Sequence, residues 1–206
     1  AAALTVPVDR ERDGMASAAM DGGLALAPVG QSAYNWLIAT FASTGLKTQV
    51  FDDWRSLKWS KLVLNVVANA SCAILNVLPE RLVHWGAAFE LELRAIREVR
   101  NVMRALGIAA IDLPRYPVRA FQGVATLPTP VARAILANRI AGARGRKPPS
   151  LLLDLRAMRN RTEVDFLNGA VARAAREAGV KAPVNTVFAR IVSDIAHMPA
   201  LWAKYR

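Results

Sequence analysis

The spacing of apolar side chains divides the sequence into a short N-terminal stretch with strand patterns and a longer remainder with helix patterns. Short apolar runs with β-branched residues predict strands within residues 4–8, 15–27 and 47–51. Ser32 is a candidate cap for a helix that reaches about Ala42. This alternation is typical of an α/β domain. From residue 52 onward apolar residues recur with the helical period, which predicts a mainly α chain.

Caps and helix breakers give approximate limits for the predicted helices. Asp53 is a candidate N-cap for a long helix through residues 54–69, and Pro79 interrupts the pattern after it. A second long helix is predicted over residues 87–106, with Gly107 as its stop. The prolines within residues 111–130 predict turns and short helix. Further helices are predicted to start at Pro130, Ser150, Thr162 and just after Pro183.

One stretch combines a nearly continuous apolar run with a regular row of polar residues. Lys61, Asn65 and Asn69 recur every four residues, which places all three along one face of a helix. A buried amide without partners costs about 1–3 kcal/mol, and an unpaired ammonium costs more. The row therefore needs a polar partner. If the partner is a neighbouring loop of the protein, the row is structural. If the partner is a ligand, the row is part of a binding site.

The net charge of +11 favours an anionic partner, such as a phosphorylated cofactor or a carboxylate substrate. The arginines at 94, 97, 100 and 104 predict the solvated face of one helix, with Glu90 and Glu98 interleaved. The segment 139–147 is the one tight basic cluster, and it has no aromatic residue on which a base could stack. Nucleic-acid binding is therefore not expected.

Other features of the sequence narrow the class of protein. No apolar run approaches the roughly 18 residues that a membrane span needs, and the N-terminus has no signal-peptide pattern. Cys72 is the only cysteine, so no disulfide framework is expected, and the predicted location is cytoplasmic. His84 and His197 are the only histidines and do not cluster, so no metal site is expected.

A few polar residues are candidates for chemistry. Lys61 lies among apolar neighbours, where desolvation would favour loss of its proton to a substrate. Glu163 falls in the first turn of a predicted helix, where the free N–H groups favour a carboxylate. Ser150 follows two prolines and either caps its own helix or points into a cleft. The sequence contains no Gly-x-Gly-x-x-Gly dinucleotide fingerprint.

These residues belong to motifs that resemble a known family. The first motif is Lys58-Trp59-Ser60-Lys61-Leu62 with Asn65 and Asn69. The second combines Ser150 and Asp154 with Thr162-Glu163-Val164-Asp165-Phe166-Leu167-Asn168-Gly169. The segments Gly179-Val180, Ala182-Pro183 and Asn185-Thr186 follow, and the opening through Gly30-Gln31-Ser32 to Phe51-Asp52-Asp53 fits as well. In this order and spacing they resemble the ketopantoate reductase (2-dehydropantoate 2-reductase) family over nearly the whole chain.

The resemblance implies a fold and a division of the chain. Residues 1–52 would be the C-terminal part of a Rossmann-type NADP-binding domain, and residues 53–206 a helical substrate-binding and dimerisation domain. The helical domain would resemble the C-terminal domain of 6-phosphogluconate dehydrogenase. The family's glycine-rich loop has no counterpart here. The resemblance therefore implies a further N-terminal NADP-binding segment, without which the chain would be inactive.

The resemblance also implies an activity and a role for each site residue. The family reduces ketopantoate to pantoate with NADPH in pantothenate biosynthesis, and such domains commonly pair as homodimers. Lys61 matches the family's catalytic general acid, and Asn65, Asn69 and Ser150 match its substrate-binding residues. Glu163 matches the acidic residue at the junction of cofactor and substrate.

Two alternatives remain open from the sequence. Pro79 stands where some members of the family have another substrate-contacting asparagine, which allows a sister reductase that acts on a different small 2-oxo acid. The other alternative is a non-catalytic helical module that keeps the fold and binds a partner through its basic surface.

Overall fold

The computed structural model describes residues 1–5, 8–10, 16–18, 22–30, 35–142 and 147–205. The chain forms two compact units. One consists of Ala1–Lys61 and Ile108–Ala120, and the other of Leu62–Gly107 and Phe121–Arg206. The candidate cap Ser32 lies outside the described residues, as does the middle of the basic segment 139–147.

The first unit contains a small mixed sheet. Its strands β1 (Ala2–Leu4), β4 (Gly23–Leu26) and β5 (Lys47–Val50) lie in the order β1-β4-β5. Strand β1 is antiparallel to β4, and β5 is parallel to β4. A parallel pair needs a crossover connection, which here contains the helix α1 (Asn35–Ala42). Strands β2 (Val8–Arg10) and β3 (Ala16–Ala18) pair separately. The predicted α/β character of this stretch is confirmed.

The central strand β4 is buried at every position and begins at a glycine. A Cβ atom at Gly23 would lie 2.3 Å from the carbonyl oxygen of Lys47 and 2.8 Å from Cβ of Pro114. The Thr5 hydroxyl donates to the Gly23 carbonyl at 2.9 Å and accepts from the Gly23 N–H at 3.0 Å. The close approach of the backbones in this unit therefore requires glycine at position 23.

Helix α2 (Trp54–Val66) begins as the sequence predicts. The N–H groups of Arg55 and Ser56 donate to the Asp53 carboxylate at 2.8 and 3.1 Å, which confirms Asp53 as the N-cap. These contacts, with the Ser56 hydroxyl as the main cause, hold the pKa of the Asp53 carboxyl below its ordinary value. The start of the helix is thus determined by local sequence.

Helix α2 ends at Val66, so Asn69, the last member of the polar row, does not lie on it. Residues 67–69 form a turn in which Ala68 has φ 49°, and Asn69 is the N-cap of helix α3 (Ala70–Leu75). The prediction of one helical face is therefore wrong for the last member of the row. The reason is a tertiary contact, because the Glu92 carboxylate accepts the Ala68 N–H at 2.6 Å and a left-handed alanine interrupts the helix.

The remaining helices confirm a mainly helical fold. In chain order they are α4 (Pro79–Leu82), α5 (Gly86–Ala105), α6 (Val118–Val124), α7 (Thr129–Gly142), α8 (Ser150–Arg156), α9 (Asn168–Glu177) and α10 (Pro183–His197). Two segments, Glu163–Phe166 and Pro199–Tyr205, are 3-10 helices. None of the helices within the described ranges has the length and apolar character for crossing a membrane.

The predicted helix from Thr162 to Gly179 is split in two. Thr162 caps as expected, because its hydroxyl accepts the Val164 N–H at 3.4 Å, but it opens the short 3-10 helix. Leu167, with φ −105° and ψ −100°, separates that 3-10 helix from α9. Glu163 therefore lies on a separate short segment rather than on α9 itself.

The long helix α5 forms the centre of the second unit, where it contacts α7, α9 and α10. Its apolar face recurs at helical spacing, and the side chains of Phe89, Leu93, Ile96 and Val99 are fully buried. Gly107 follows with φ 64°, which confirms the predicted stop. One hydrophobic cluster joins α5 to neighbouring helices through Val67, Ala68, Cys72, Leu82, Val83, Ala88, Phe89, Leu93, Ile96, Ala125, Ala132, Leu136 and Ile140.

Candidate active site

Asn69 is held by hydrogen bonds to three other residues. It lies in the turn between α2 and α3 and is 2% exposed. Its Nδ2 donates to the Asn65 carbonyl at 3.1 Å and to Ser150 Oγ at 3.3 Å, and its Oδ1 accepts the Leu151 N–H at 3.1 Å. Both amide hydrogens and the carbonyl oxygen of the side chain are therefore engaged by the protein. Asn69 joins the turn to the start of α8.

Ser150 extends this network to Glu163. The Ser150 hydroxyl donates to Glu163 Oε1 at 2.7 Å while its oxygen accepts from Asn69. The resulting path runs from the Asn69 amide through the Ser150 hydroxyl to the Glu163 carboxylate. Ser150 is half-buried and Glu163 is exposed, so the path leads from the interior to the surface. The structure thus brings three of the predicted site residues together.

Asn65 and Lys61 complete the predicted set. Asn65 lies in α2 and is half-buried, and among the described residues its side chain has no hydrogen-bonding partner. It can therefore offer both a donor and an acceptor to a ligand. Lys61 is half-buried in the first unit, at the end of that unit's first segment. Its assignment as a proton donor stays a prediction.

Glu92 is a buried acid beside this network that the polar row does not reveal. It is 1% exposed, and its Oε2 accepts the Ala68 N–H at 2.6 Å. Burial raises the pKa of the Glu92 carboxyl to about 7, and the nearby Ser71 hydroxyl and the Ala68 N–H only partly offset this. Within the described part of the chain, Glu92 Oε1 makes no hydrogen bond, even with Ser71 nearby.

The sequence does carry a signal for this burial. Glu92 follows Phe89 by three residues and precedes Ile96 by four, which places it on the apolar face of α5. An acid on such a face needs a structural or functional reason.

A second acid of α5, Glu98, is buried although the sequence predicts it on the solvated face of the helix. Glu98 is 8% exposed, and its carboxylate accepts the N–H groups of Val184 and Asn185 at 2.8 and 2.9 Å. The Asn185 side chain donates to Glu98 at 2.7 Å and accepts from Asn168 Nδ2 at 2.9 Å. The expectation of exposure is wrong for Glu98 because the free N–H groups at the start of α10 lie over it. Asn168 opens α9, so this network joins the starts of α9 and α10 to α5.

The site offers hydrogen-bonding groups rather than metal ligands. Within the ranges that the structure describes, no three His, Cys, Asp or Glu side chains lie close enough together to hold a metal ion. The Ser150 hydroxyl, the Asn65 amide and the exposed Glu163 carboxylate suit a small polar molecule that both donates and accepts hydrogen bonds.

The fold agrees with a comparison of the chain with known proteins. The family described as "Ketopantoate reductase PanE/ApbA C terminal" matches residues 53–196, which is more than half of the chain. The chain belongs to the ketopantoate reductase family. A 2-dehydropantoate 2-reductase from Pyrobaculum aerophilum is 28% identical over 161 residues, which cover 78% of this chain and 50% of that protein.

Solved structures show the same fold. A PanE/ApbA family ketopantoate reductase from Ralstonia eutropha has a TM-score of 0.72 at 27% identity, over 95% of this chain and 58% of that chain. D-mandelate dehydrogenase in a ternary complex with NADH and anilino(oxo)acetate has a TM-score of 0.67 at 22% identity, over 87% of this chain and 68% of that chain. The chain spans about half the length of the 2-dehydropantoate 2-reductase from Pyrobaculum aerophilum.

Proposed function

We propose that this chain is the substrate-binding part of an NADPH-dependent ketopantoate reductase, which converts 2-dehydropantoate to pantoate in pantothenate biosynthesis. The observation that carries the proposal is the Asn69–Ser150–Glu163 network, because it joins three residues that the family resemblance assigns to substrate and cofactor. Membership of the family supports an oxidoreductase role. Ketopantoate and NADPH are the substrate and cofactor that we propose for the full-length protein.

The proposal includes a division of labour along the chain. Residues 1–52 would be the last part of a Rossmann-type domain, which the parallel pair β4 and β5 supports. Residues 53–206 would bind the substrate and form a homodimer. An N-terminal NADP-binding segment would complete the enzyme, and the chain by itself would be inactive. The assembled enzyme would work in the cytoplasm.

The hydrogen bonds within the network determine which of its groups can still bind the substrate. Asn69 already uses both amide hydrogens within the protein, so it acts mainly by holding Ser150. Direct contacts with a 2-oxo acid then come from the Asn65 side chain and the Ser150 hydroxyl. Both are half-buried, where hydrogen bonds are stronger than in water. The Asn65 amide can donate to the substrate carboxylate, whereas Ser150, whose hydrogen is donated to Glu163, can accept from a substrate hydroxyl.

The exposed Glu163 carboxylate fits the place where the cofactor would meet the substrate. Its Oε1 is held by Ser150, and an exposed carboxylate can accept further hydrogen bonds from hydroxyl groups of a nicotinamide cofactor or a substrate. When bound, a reduced nicotinamide supplies the hydride.

The remaining step is proton transfer, which we assign to Lys61. Reduction of a ketone to an alcohol adds a hydride to carbon and a proton to oxygen. A cationic Lys61 would stabilise the negative charge that develops on the carbonyl oxygen and then donate its proton to that oxygen. The products are the 2-hydroxy acid, oxidised cofactor and neutral Lys61, which regains a proton from solvent.

A sister reductase for another 2-oxo acid is the second candidate. Pro79 stands where some members of the family have a further substrate-contacting asparagine, and its buried ring begins α4. D-mandelate dehydrogenase has the same fold, so the fold does not by itself distinguish ketopantoate from another 2-oxo acid. The difference between the two candidates is the side chain of the preferred 2-oxo acid.

The test is substrate-dependent NADPH oxidation by the full-length protein, with ketopantoate, pyruvate and an aromatic 2-oxo acid compared by kcat/KM. We expect ketopantoate to exceed the others by at least about tenfold, as expected when buried polar groups match one substrate. A preference for another 2-oxo acid would favour the sister reductase. No oxidation with any of them would contradict the reductase proposal and favour the non-catalytic module.

A further inference from the structure

We propose that Glu92 is a positioning residue for the substrate site, because its carboxylate fixes the turn at Ala68 and this turn places Asn69 against Ser150. The role in substrate binding rests on the proposed function. The structural part does not, since it concerns only contacts within the second unit.

The turn at Ala68 needs an external partner. Ala68 has φ 49°, a left-handed conformation that alanine seldom adopts. Its N–H group is buried and would be unsatisfied in a turn without an acceptor. Glu92 Oε2 accepts it at 2.6 Å, from the middle of α5 and 24 residues away in sequence. This hydrogen bond compensates for the break between α2 and α3.

An acid at this position is unfavourable for the core itself. Glu92 is 1% exposed on the face of α5 that also carries Phe89, Leu93 and Ile96, and within the described ranges its Oε1 makes no hydrogen bond. An apolar side chain of similar volume would pack there without desolvating a carboxyl. The acid is therefore better explained by the local geometry that it imposes on Ala68 than by a gain in stability.

The geometry at Ala68 passes directly to the site through the next residue. Asn69 follows Ala68, and its side chain joins the Asn65 carbonyl, Ser150 Oγ and the Leu151 N–H. A turn that relaxed toward helix would rotate Asn69 away from α8. Ser150 would then lose one partner, and Leu151 would lose the acceptor of its N–H.

Leu151 provides a reporter of Asn69 that does not depend on activity. Its N–H lies in the first turn of α8, where no helical carbonyl can accept it, and Asn69 Oδ1 is its acceptor. Hydrogen exchange at Leu151 therefore reports the position of Asn69. Asn185 N–H is a matched reference, because it is held by another buried glutamate of α5, Glu98.

The experiment compares residue-resolved amide exchange in the full-length protein and three variants. Glu92→Leu removes the acceptor, and Glu92→Gln keeps an acceptor oxygen at the same reach. Val102→Ala shortens a fully buried side chain of α5 about three helical turns beyond Glu92. We expect Glu92→Leu to accelerate exchange at Leu151 about tenfold more than at Asn185. We expect Glu92→Gln and Val102→Ala to change the ratio of the two rates by less than about threefold.

Two further readouts keep the proposal testable. If Glu92→Leu does not fold, Glu92→Asp takes its place. Its side chain is shorter by one methylene and cannot reach the Ala68 N–H, so it should show the same selective acceleration at Leu151. With ketopantoate as substrate, Glu92→Leu should raise KM about tenfold and change kcat less than about threefold, and Glu92→Gln should restore KM.

The outcomes separate this proposal from the proposed function. Equal acceleration at Leu151 and Asn185, or an unchanged ratio in folded Glu92→Leu or Glu92→Asp, would overturn the positioning role. A wild-type protein without activity toward ketopantoate, but with selective acceleration in the variants, would contradict the proposed substrate and still support the positioning of Asn69 by Glu92.

Discussion

Replacing Glu92 by glutamine should stabilise the protein in neutral and alkaline solution, and the gain should shrink as the pH falls. The glutamine amide has nearly the same size as the carboxyl, and its oxygen can still accept the Ala68 N–H. The substitution removes the buried negative charge, and the amide NH2 takes the place of Oε1 near Ser71, whose oxygen can accept from it. The wild-type side chain is 1% exposed, so solvent does little to reduce the cost of burying that charge.

The magnitude follows from the raised pKa of the Glu92 carboxyl. Burial is the main cause that raises this pKa from 4.5 to about 7, while Ser71 and Ala68 oppose it. A group with a raised folded pKa stabilises the fold fully below its unfolded pKa, and that stabilisation is lost as the pH rises through the folded pKa. A difference of about 2.5 units, at 1.36 kcal/mol per unit, corresponds to about 3 kcal/mol. Most of this change should fall between about pH 4.5 and about pH 7.

The assay is urea unfolding of wild type and Glu92→Gln at several values between about pH 5 and about pH 8. Subtraction of the two free energies of unfolding cancels the titration of other groups, so the difference should grow by about 2–3 kcal/mol toward high pH. Glu80→Gln is the control, because it removes an exposed carboxylate from α4 and should shift stability by less than about 0.5 kcal/mol throughout. A Glu92→Gln difference that stays constant with pH would show that folding does not raise the pKa of the Glu92 carboxyl.

Three further predictions concern the site and the fold. Lys61→Ala in the full-length enzyme should lower kcat by about 10²-fold or more in a steady-state assay, whereas Lys58→Ala, at an exposed position of the same helix, should leave kcat unchanged. Ser150→Ala should raise KM for the 2-oxo acid about tenfold with a smaller effect on kcat, and an unchanged KM would remove Ser150 from the site. Gly23→Ala should lower the free energy of unfolding by about 3 kcal/mol, because the added Cβ would meet the Lys47 carbonyl oxygen at 2.3 Å. An unchanged urea midpoint would contradict that close approach.

Local sequence signals predict the helices that depend on them. The periodic apolar residues of α5, the Asp53 cap of α2 and the Gly107 stop all appear as expected, because each acts through neighbours within one or two helical turns. The break at Ala68 has no such signal. Alanine favours helix, and the turn arises from an acceptor 24 residues away that periodicity cannot reveal.

The site shows the same difference between local and distant information. Ser150 is 81 residues from Asn69, and only the folded chain joins their side chains. The family resemblance singles out both residues, yet it does not indicate that Asn69 uses its amide hydrogens within the protein. The arginine-rich pattern of α5 likewise hides the burial of Glu98, which depends on where the start of α10 packs.

A crystal structure of the full-length protein with NADP⁺ and ketopantoate would test directly whether Asn65 and Ser150 bind the substrate. We expect the 2-oxo acid to lie within about 3 Å of the Asn65 side chain and the Ser150 hydroxyl, while Asn69 still holds Ser150. A ketopantoate molecule bound away from Asn65 and Ser150, with the Asn69–Ser150–Glu163 network unchanged, would contradict this expectation.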